Sequence, residues 1–388
     1  MSTYISNPPR PVRRRVPRPG LVPLALLALG LAASAPAQAQ GCVAARGGVC
    51  VLPNQLGILG SGEAAPPGSG FQVFFGYRWL HSDRHFVGDH EEKHRQEEGS
   101  EVINDSHFLD PGVSYAFSPR FSASLTVPFS VHDRSQVVRS NDVSRTILQR
   151  FSTQSLGLGD LRLMANAWVL DPHKHMRGNV LLGVGVDMPT GEKDATDTFQ
   201  MFDPATGQIV ARERTVDQSI QPGDGGWGLL TELYAYYQLA PTFNVFVNGS
   251  YALTPEELNG VPTYRTNPYE AVMSIADSYM GRGGFQYVLW PKYGLTLSLA
   301  GRIDGVPVED AIGGSNGFRR PGYSVSLEPG ISATVGTWSF GVNAPVALYR
   351  NRERSVADRQ WTEATGIYRH GDAAFADYLV MFTMSKSL

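Results

Sequence analysis

The stretch Tyr323-Ser324-Val325-Ser326-Leu327-Glu328-Pro329-Gly330-Ile331-Ser332-Ala333-Thr334-Val335 alternates apolar with small or polar residues along its whole length. In an extended chain successive side chains point to opposite sides. Tyr323, Val325, Leu327, Pro329, Ile331, Ala333 and Val335 therefore share a greasy face, and Ser324, Ser326, Glu328, Gly330, Ser332 and Thr334 share a wet one. A soluble sandwich also alternates, with its apolar face turned inward. Alternation alone leaves both architectures open.

The connections between such stretches decide between them. Twelve alternating segments fill residues 71–388. The joints Ser118–Arg120, Asp171–Arg177, Ala240–Thr242, Pro291–Gly294 and Gly336–Thr337 are short. Those at Gly88–Ser106, Asp133–Gly159, Glu192–Gly223, Thr254–Ser274, Pro307–Gly322 and Asn351–Asp372 are long, and the two kinds follow each other in strict turn. Bacterial outer-membrane barrels have an even strand number, tight periplasmic turns and long external loops, whereas long structureless loops are uncommon in compact soluble domains. The expected fold is all-β: an antiparallel transmembrane β-barrel of about 12 strands over 71–388, with both termini in the periplasm.

The N-terminus fits export to the outer membrane. Residues 1–40 carry Arg10, Arg13, Arg14, Arg15 and Arg18, then the apolar run Leu21 to Ala35, then Ala37-Gln38-Ala39, the pattern of a secretory signal with a small-x-small cleavage site. No later stretch approaches the ~18 apolar residues of a spanning helix, so the strands must do the spanning. Residues 41–70 are expected to be a periplasmic segment or a partial plug, since Leu52–Gly70 is rich in glycine and proline. Both cysteines, Cys42 and Cys50, lie in this segment and are expected to form a disulfide after export. Lipid attachment at Cys42 is the competing reading, although Ala39 stands where such a signal usually has Leu. The net charge of −3, with Lys and Arg scattered, carries no nucleic-acid footprint.

Turning the greasy faces to lipid puts Leu161, Leu163, Ala165, Val169, Leu295, Leu297, Leu299 and Ile303 outside. The same rule sends Arg78, Asp110, Arg162, Trp168, Asp187, Glu232, Tyr234, Tyr236, Trp290, Arg302, Asp304 and Glu328 into the lumen as candidate selectivity residues, with Asn166, Phe246, Met280 and Gln286 beside them. Unpartnered charges are costly in a dry core. A wet or internally paired lumen tolerates them. Two readings follow: a ladder of Arg–carboxylate pairs that stiffens a closed barrel, or a filter whose mixed aromatic and polar wall suits small aromatic or amphipathic solutes.

Three glycine-rich blocks carry a family resemblance. Gly157-Leu158-Gly159-Asp160-Leu161-Arg162-Leu163, Gly185-Val186-Asp187-Met188-Pro189-Thr190-Gly191-Glu192 and Gln221-Pro222-Gly223-Asp224-Gly225-Gly226-Trp227-Gly228 resemble the recurring blocks of an outer-membrane transporter-like family linked to the meta-cleavage pathway of phenol degradation. The resemblance implies uptake of small, often aromatic compounds. The chain departs from the usual barrel ending by closing on Leu388 rather than Phe. A nucleotide-loop reading of the glycines fails because no helix is expected after them, and no cofactor is implied.

His90-Glu91-Glu92-Lys93-His94 matches the H-E-x-x-H pattern of zinc metalloproteases. Between Gly88 and Glu101 there is no apolar residue, so a helix there has no face to bury, and no enzymatic role is expected. Metal capture is the weaker alternative, with His85, His90 and His94 as ligands among the histidines and glutamates of the first external loop. The sequence thus points to an outer-membrane uptake channel for small solutes. Its partners would be membrane lipid, lipopolysaccharide, the solute and the barrel-assembly machinery. The rival is a non-conducting binding or structural barrel.

Overall fold

The alternating segments form a closed ring in the computed structural model, which describes residues 69–388. The expected signal, both cysteines and nearly all of the segment 41–70 lie outside the described residues. The strands are β1 (Gly70–Val87), β2 (Ile103–Ala116), β3 (Phe121–Thr126 and Phe129–Arg139), β4 (Ile147–Leu158 and Leu161–Trp168), β5 (Gly178–Met188) and β6 (Gly228–Ala240). They continue as β7 (Phe243–Leu253), β8 (Ser278–Trp290), β9 (Leu295–Val306), β10 (Gly322–Val335), β11 (Trp338–Asn343 and Val346–Arg352) and β12 (Ala373–Ser387). Pro128 and Pro345 sit where β3 and β11 are interrupted, as expected of a residue with no N–H to give to a ladder.

Each strand pairs antiparallel with its sequence neighbour, and β1 pairs with β12 from Gln72↔Ser387 to Phe86↔Ala373, which closes the ring of twelve. Closure leaves no free edge in the part of the ring where β4 pairs on both sides. The ring has one irregular seam. The external half of β4 pairs with β3 alone, whereas its other half pairs with both β3 and β5. Residues 189–227 cover the seam, with Glu192 N donating to Leu158 O at 3.1 Å and Gln154 N to the Asp197 carboxylate at 2.6 Å.

The two faces of the wall differ as the alternation requires. In β10, Leu327 is 42% exposed and its neighbour Glu328 is 1% exposed. Leu163, Val169, Val184, Val247, Leu299, Ile303, Ile331 and Val335 also lie open on the outside, while Arg78, Asp110, Arg162, Arg282, Arg302 and Asp304 are buried inside. A soluble protein hides the first set and shows the second. A closed barrel that does the reverse satisfies its backbone internally and offers lipid an apolar band, so the chain is an outer-membrane β-barrel. No helix among the described residues is long and apolar enough to cross a membrane.

The short turns follow the expected positions; the long connections are more ordered than expected. The region expected as the loop Asp133–Gly159 is mostly a hairpin of β3 and β4 with its turn at 140–146. Its polar residues had hidden it, because strands that rise above the membrane lose the apolar partner of each alternating pair. The connection after β5 holds a second hairpin, Thr196–Asp203 with Gln208–Thr215, and then the 3-10 turn Gln218–Ile220. A ten-residue helix, Val356–Thr365, lies before β12, closed at its start by reciprocal bonds between Ser355 and Asp358.

Candidate functional site in the barrel lumen

Strand periodicity aims the polar residues of β7 to β11 at one another, and they meet as a charge network. Arg282 Nη1 lies 2.5 Å from Glu328 Oε1, Arg302 Nη1 lies 3.1 Å from Glu328 Oε2, and Arg302 Nη2 lies 2.5 Å from Asp304. Asn343 donates to Glu328 at 2.9 Å, and Arg282 Nε donates to Asn248 at 3.2 Å. Two guanidinium groups are thus shared by two carboxylates. Elsewhere on the inner wall, Arg78 pairs with Asp110 at 3.0 Å and Arg162 faces Asp187 at 3.6 Å. Glu232 stands across from Gly183, where a Cβ would meet Asn166, Met164 and Glu232 itself.

The inward aromatic residues pack together. Trp168, Tyr234, Tyr236 and Phe246 form a buried cluster with Leu181 and Ala300, with Tyr234 only 2% exposed. Trp168 meets Tyr236 edge-on at 6.1 Å, and Tyr234 stacks on Tyr236 at 6.1 Å. They fill this part of the barrel more than they line it. Trp290 is a correction: it was expected in the lumen and is 55% exposed on the outside, edge-on to Tyr293 at 5.2 Å. The pairing of β8 with β9 slips between Val288 and Trp290, and this irregularity turns the ring outward. With Tyr293, Trp338 and Phe340 it stands near the short turns, where aromatic girdles mark the membrane interface.

The three glycine-rich blocks, distant in sequence, meet in space. Asp160 accepts from Gly191 N and from Asp224 N, both at 2.9 Å. Gly191 lies against Gly159 and Gly223 so closely that a Cβ on Gly191 would come within 2.7 Å of Gly159 backbone. Three backbones approach here because none carries a side chain. The contact directs residues 216–224 into the barrel. Gln221 braces that segment through Ala195 and the Val216 carbonyl, and Ala195, Val216 and Ile220 form a small apolar core beside it.

Asp217 opens the inward turn and accepts from Ser219 N at 3.0 Å. Its carboxylate meets Arg320 at 2.8 and 2.9 Å, Arg134 at 3.4 Å, Arg265 at 3.5 Å and the Tyr264 hydroxyl at 2.6 Å. Burial alone would raise the Asp217 carboxyl, but the three arginines outweigh it and hold the group well below the ordinary carboxylate range. Asp372 is also held low, because His85 and Arg95 outweigh its burial. These residues are absent from the sequence-based lumen set, since they lie in or reach toward loops where alternation carries no information.

Two cavities flank the turn. The external one is about 200 Å³ and is lined in part by Arg134, Ser219, Arg265 and Arg320; the other, about 80 Å³, reaches Arg78, Asp110, Arg162 and Asp187. Ser219 borders the first and Gln218 the second, so the inward turn stands between them.

The metal candidates are not brought together. His85 is buried, its Nδ1 2.5 Å from Asp372 and its Nε2 accepting from Val102 N at 2.8 Å. His90 precedes the one-turn helix His94–Glu97, so the two outer histidines of the H-E-x-x-H match do not share a helix. Glu91 is paired with Arg84 at 2.6 Å. Among the described residues no three His, Cys, Asp or Glu side chains converge as metal ligands. The ligand set His85, His90 and His94 is corrected accordingly: His85 is held by Asp372 and Val102, His94 lies 3.4 Å from Glu92, and the three do not converge.

No protein-family model and no curated protein sequence matches the chain. The fold is similar to that of an outer-membrane channel from Pseudomonas putida F1, at 12% identity, covering 84% of this chain and 97% of that one with a TM-score of 0.53. Weaker likenesses include the Pseudomonas putida toluene transporter TodX, at 9% identity over 90% of this chain and 98% of that one (TM-score 0.43). The β domain of the Bordetella autotransporter BrkA is similar at 10% identity over 83% and 100% (TM-score 0.41). The first of these supports the barrel fold itself.

Proposed function

We propose that the protein is an outer-membrane channel for uptake of small solutes, aromatic and amphipathic ones among them. The observation that carries this reading is a pair of cavities lined by charged side chains inside a closed barrel, with a short loop turn bordering both. Loops move more readily than walls, so displacement of the turn Gln218–Ile220 would widen the passage between the two cavities. Arg78, Asp110, Arg162, Asp187, Glu232, Arg302, Asp304 and Glu328 would set what passes. Lipid and lipopolysaccharide would surround the wall, and the barrel-assembly machinery would insert it.

The second reading, a closed structural barrel, is favoured by the charge network around Glu328 and by the packed cluster at Tyr234. Liposome swelling separates the two. A channel admits small uncharged solutes such as glycerol at rates that rise with protein content. A closed barrel leaves the vesicles as impermeable as protein-free ones.

A further inference from the structure

The external cavity has a charge imbalance. Arg95, Arg134, Arg265 and Arg320 line it. The carboxylates that reach these four are Asp217, shared by three of them, and Asp372, which holds Arg95 at 3.0 Å and His85 at 2.5 Å. Asp304 also borders the cavity but is bound to Arg302 at 2.5 Å. Four guanidinium groups therefore share two carboxylates. Arg134 Nε and Arg265 Nε are buried with no hydrogen-bond partner. Buried donors without acceptors cost about 1–3 kcal/mol each, more when charged, so the positive charge beside the cavity is under-compensated.

The lining also includes the polar His85, Asn104, Gln136 and Ser219, and an apolar and aromatic part made by Val102, Tyr264, Val306 and Phe375. The volume, about 200 Å³, exceeds the roughly 150 Å³ that accommodates a benzene ring in a protein interior. Arg265 also lies 4.4 Å from the centre of the Phe318 ring and 5.3 Å from that of Tyr264, so its guanidinium is held against aromatic rings at the cavity wall.

We propose that this cavity is an anion subsite of the channel, taking a small organic acid whose one carboxylate is held by Arg134, Arg265 and Arg320 and whose apolar body is about one ring in size. The proposal rests on the channel reading and narrows its solute class. Asp217 then acts as an internal competitor: it occupies the arginines when the subsite is empty, and the solute's carboxylate takes a share of them on binding. Planar, forked donors suit a carboxylate for geometric reasons.

Benzoate and benzyl alcohol, alike in size and different in charge, test this by titration calorimetry on the purified full-length protein in detergent. Benzoate is expected to bind about tenfold or more tightly than benzyl alcohol, with Arg265→Gln removing about that advantage. Asp217→Asn keeps the oxygen that accepts from Ser219 and removes the competing charge, so it is expected to tighten benzoate binding. Equal binding of the two probes, no benzoate heat, or benzoate affinity unchanged in both variants would overturn the subsite. Glycerol swelling of liposomes, measured in parallel, keeps the two ideas apart. Swelling without benzoate binding removes the subsite and leaves the channel; benzoate binding without swelling retains the subsite and removes the channel.

Discussion

At the scale of single residues, the barrel is divided by which way each side chain points. Glu328 has two buried arginines as partners, and removing one member of a buried ion network leaves uncompensated charge that costs about 3–5 kcal/mol. Glu328→Ala should therefore lower stability in urea by about that amount, whereas a double change of Glu328 and Arg282 to apolar residues should recover part of it. A cost for Glu328→Ala below about 1 kcal/mol, the range of exposed pairs, would mean that water already solvates the network. One strand away, Leu299 faces lipid, and Leu299→Arg should cost roughly 2–4 kcal/mol of barrel stability if it lies near the midplane. Folding titrations into lipid vesicles would read this difference, and tolerance of Leu299→Arg would reverse the two faces.

At the scale of elements, the loops are where the sequence was least legible. The period of two is visible wherever one side of a strand meets lipid and the other meets charge, which is why β10 could be divided correctly from Tyr323 to Val335. It fades in the hairpin of β3 and β4, because Gln149, Arg150, Ser152 and Gln154 have no lipid to face. Trp290 fell on the wrong side because one slipped pairing changes parity without leaving a mark in composition. Asp217 was invisible for a third reason: its partners Arg134, Arg265 and Arg320 are distant in sequence, and only the fold joins them.

That cluster also makes a pH prediction. Asp217 and Asp372 are carboxylates held below their unfolded values. Their contribution to loop docking is full above the unfolded value of about 3.9 and is lost only as pH falls through the lower folded values. Limited proteolysis should find residues 189–227 equally protected at about pH 7 and about pH 4, with cleavage appearing only in stronger acid. Release between those two values would contradict the docking scheme. A cysteine at Gly207, in the turn of the external hairpin, should react with an impermeant maleimide on intact cells, and one at Thr242, in a short turn, should not. Labelling at Thr242 alone would invert the topology.

At the scale of the whole molecule, twelve strands close a wall that is apolar outside and charged inside, and loop residues 216–224 stand within it. A channel of this kind must pass current or solute through that interior. Single-channel recording in planar bilayers tests this most directly, with the intact protein beside Arg302→Gln on the inner wall and Leu299→Phe on the outer. Stepwise conductance is expected, with an ion preference that shifts in Arg302→Gln and stays unchanged in Leu299→Phe. Absence of steps from a folded, inserted barrel, or steps indifferent to Arg302, would contradict the channel reading.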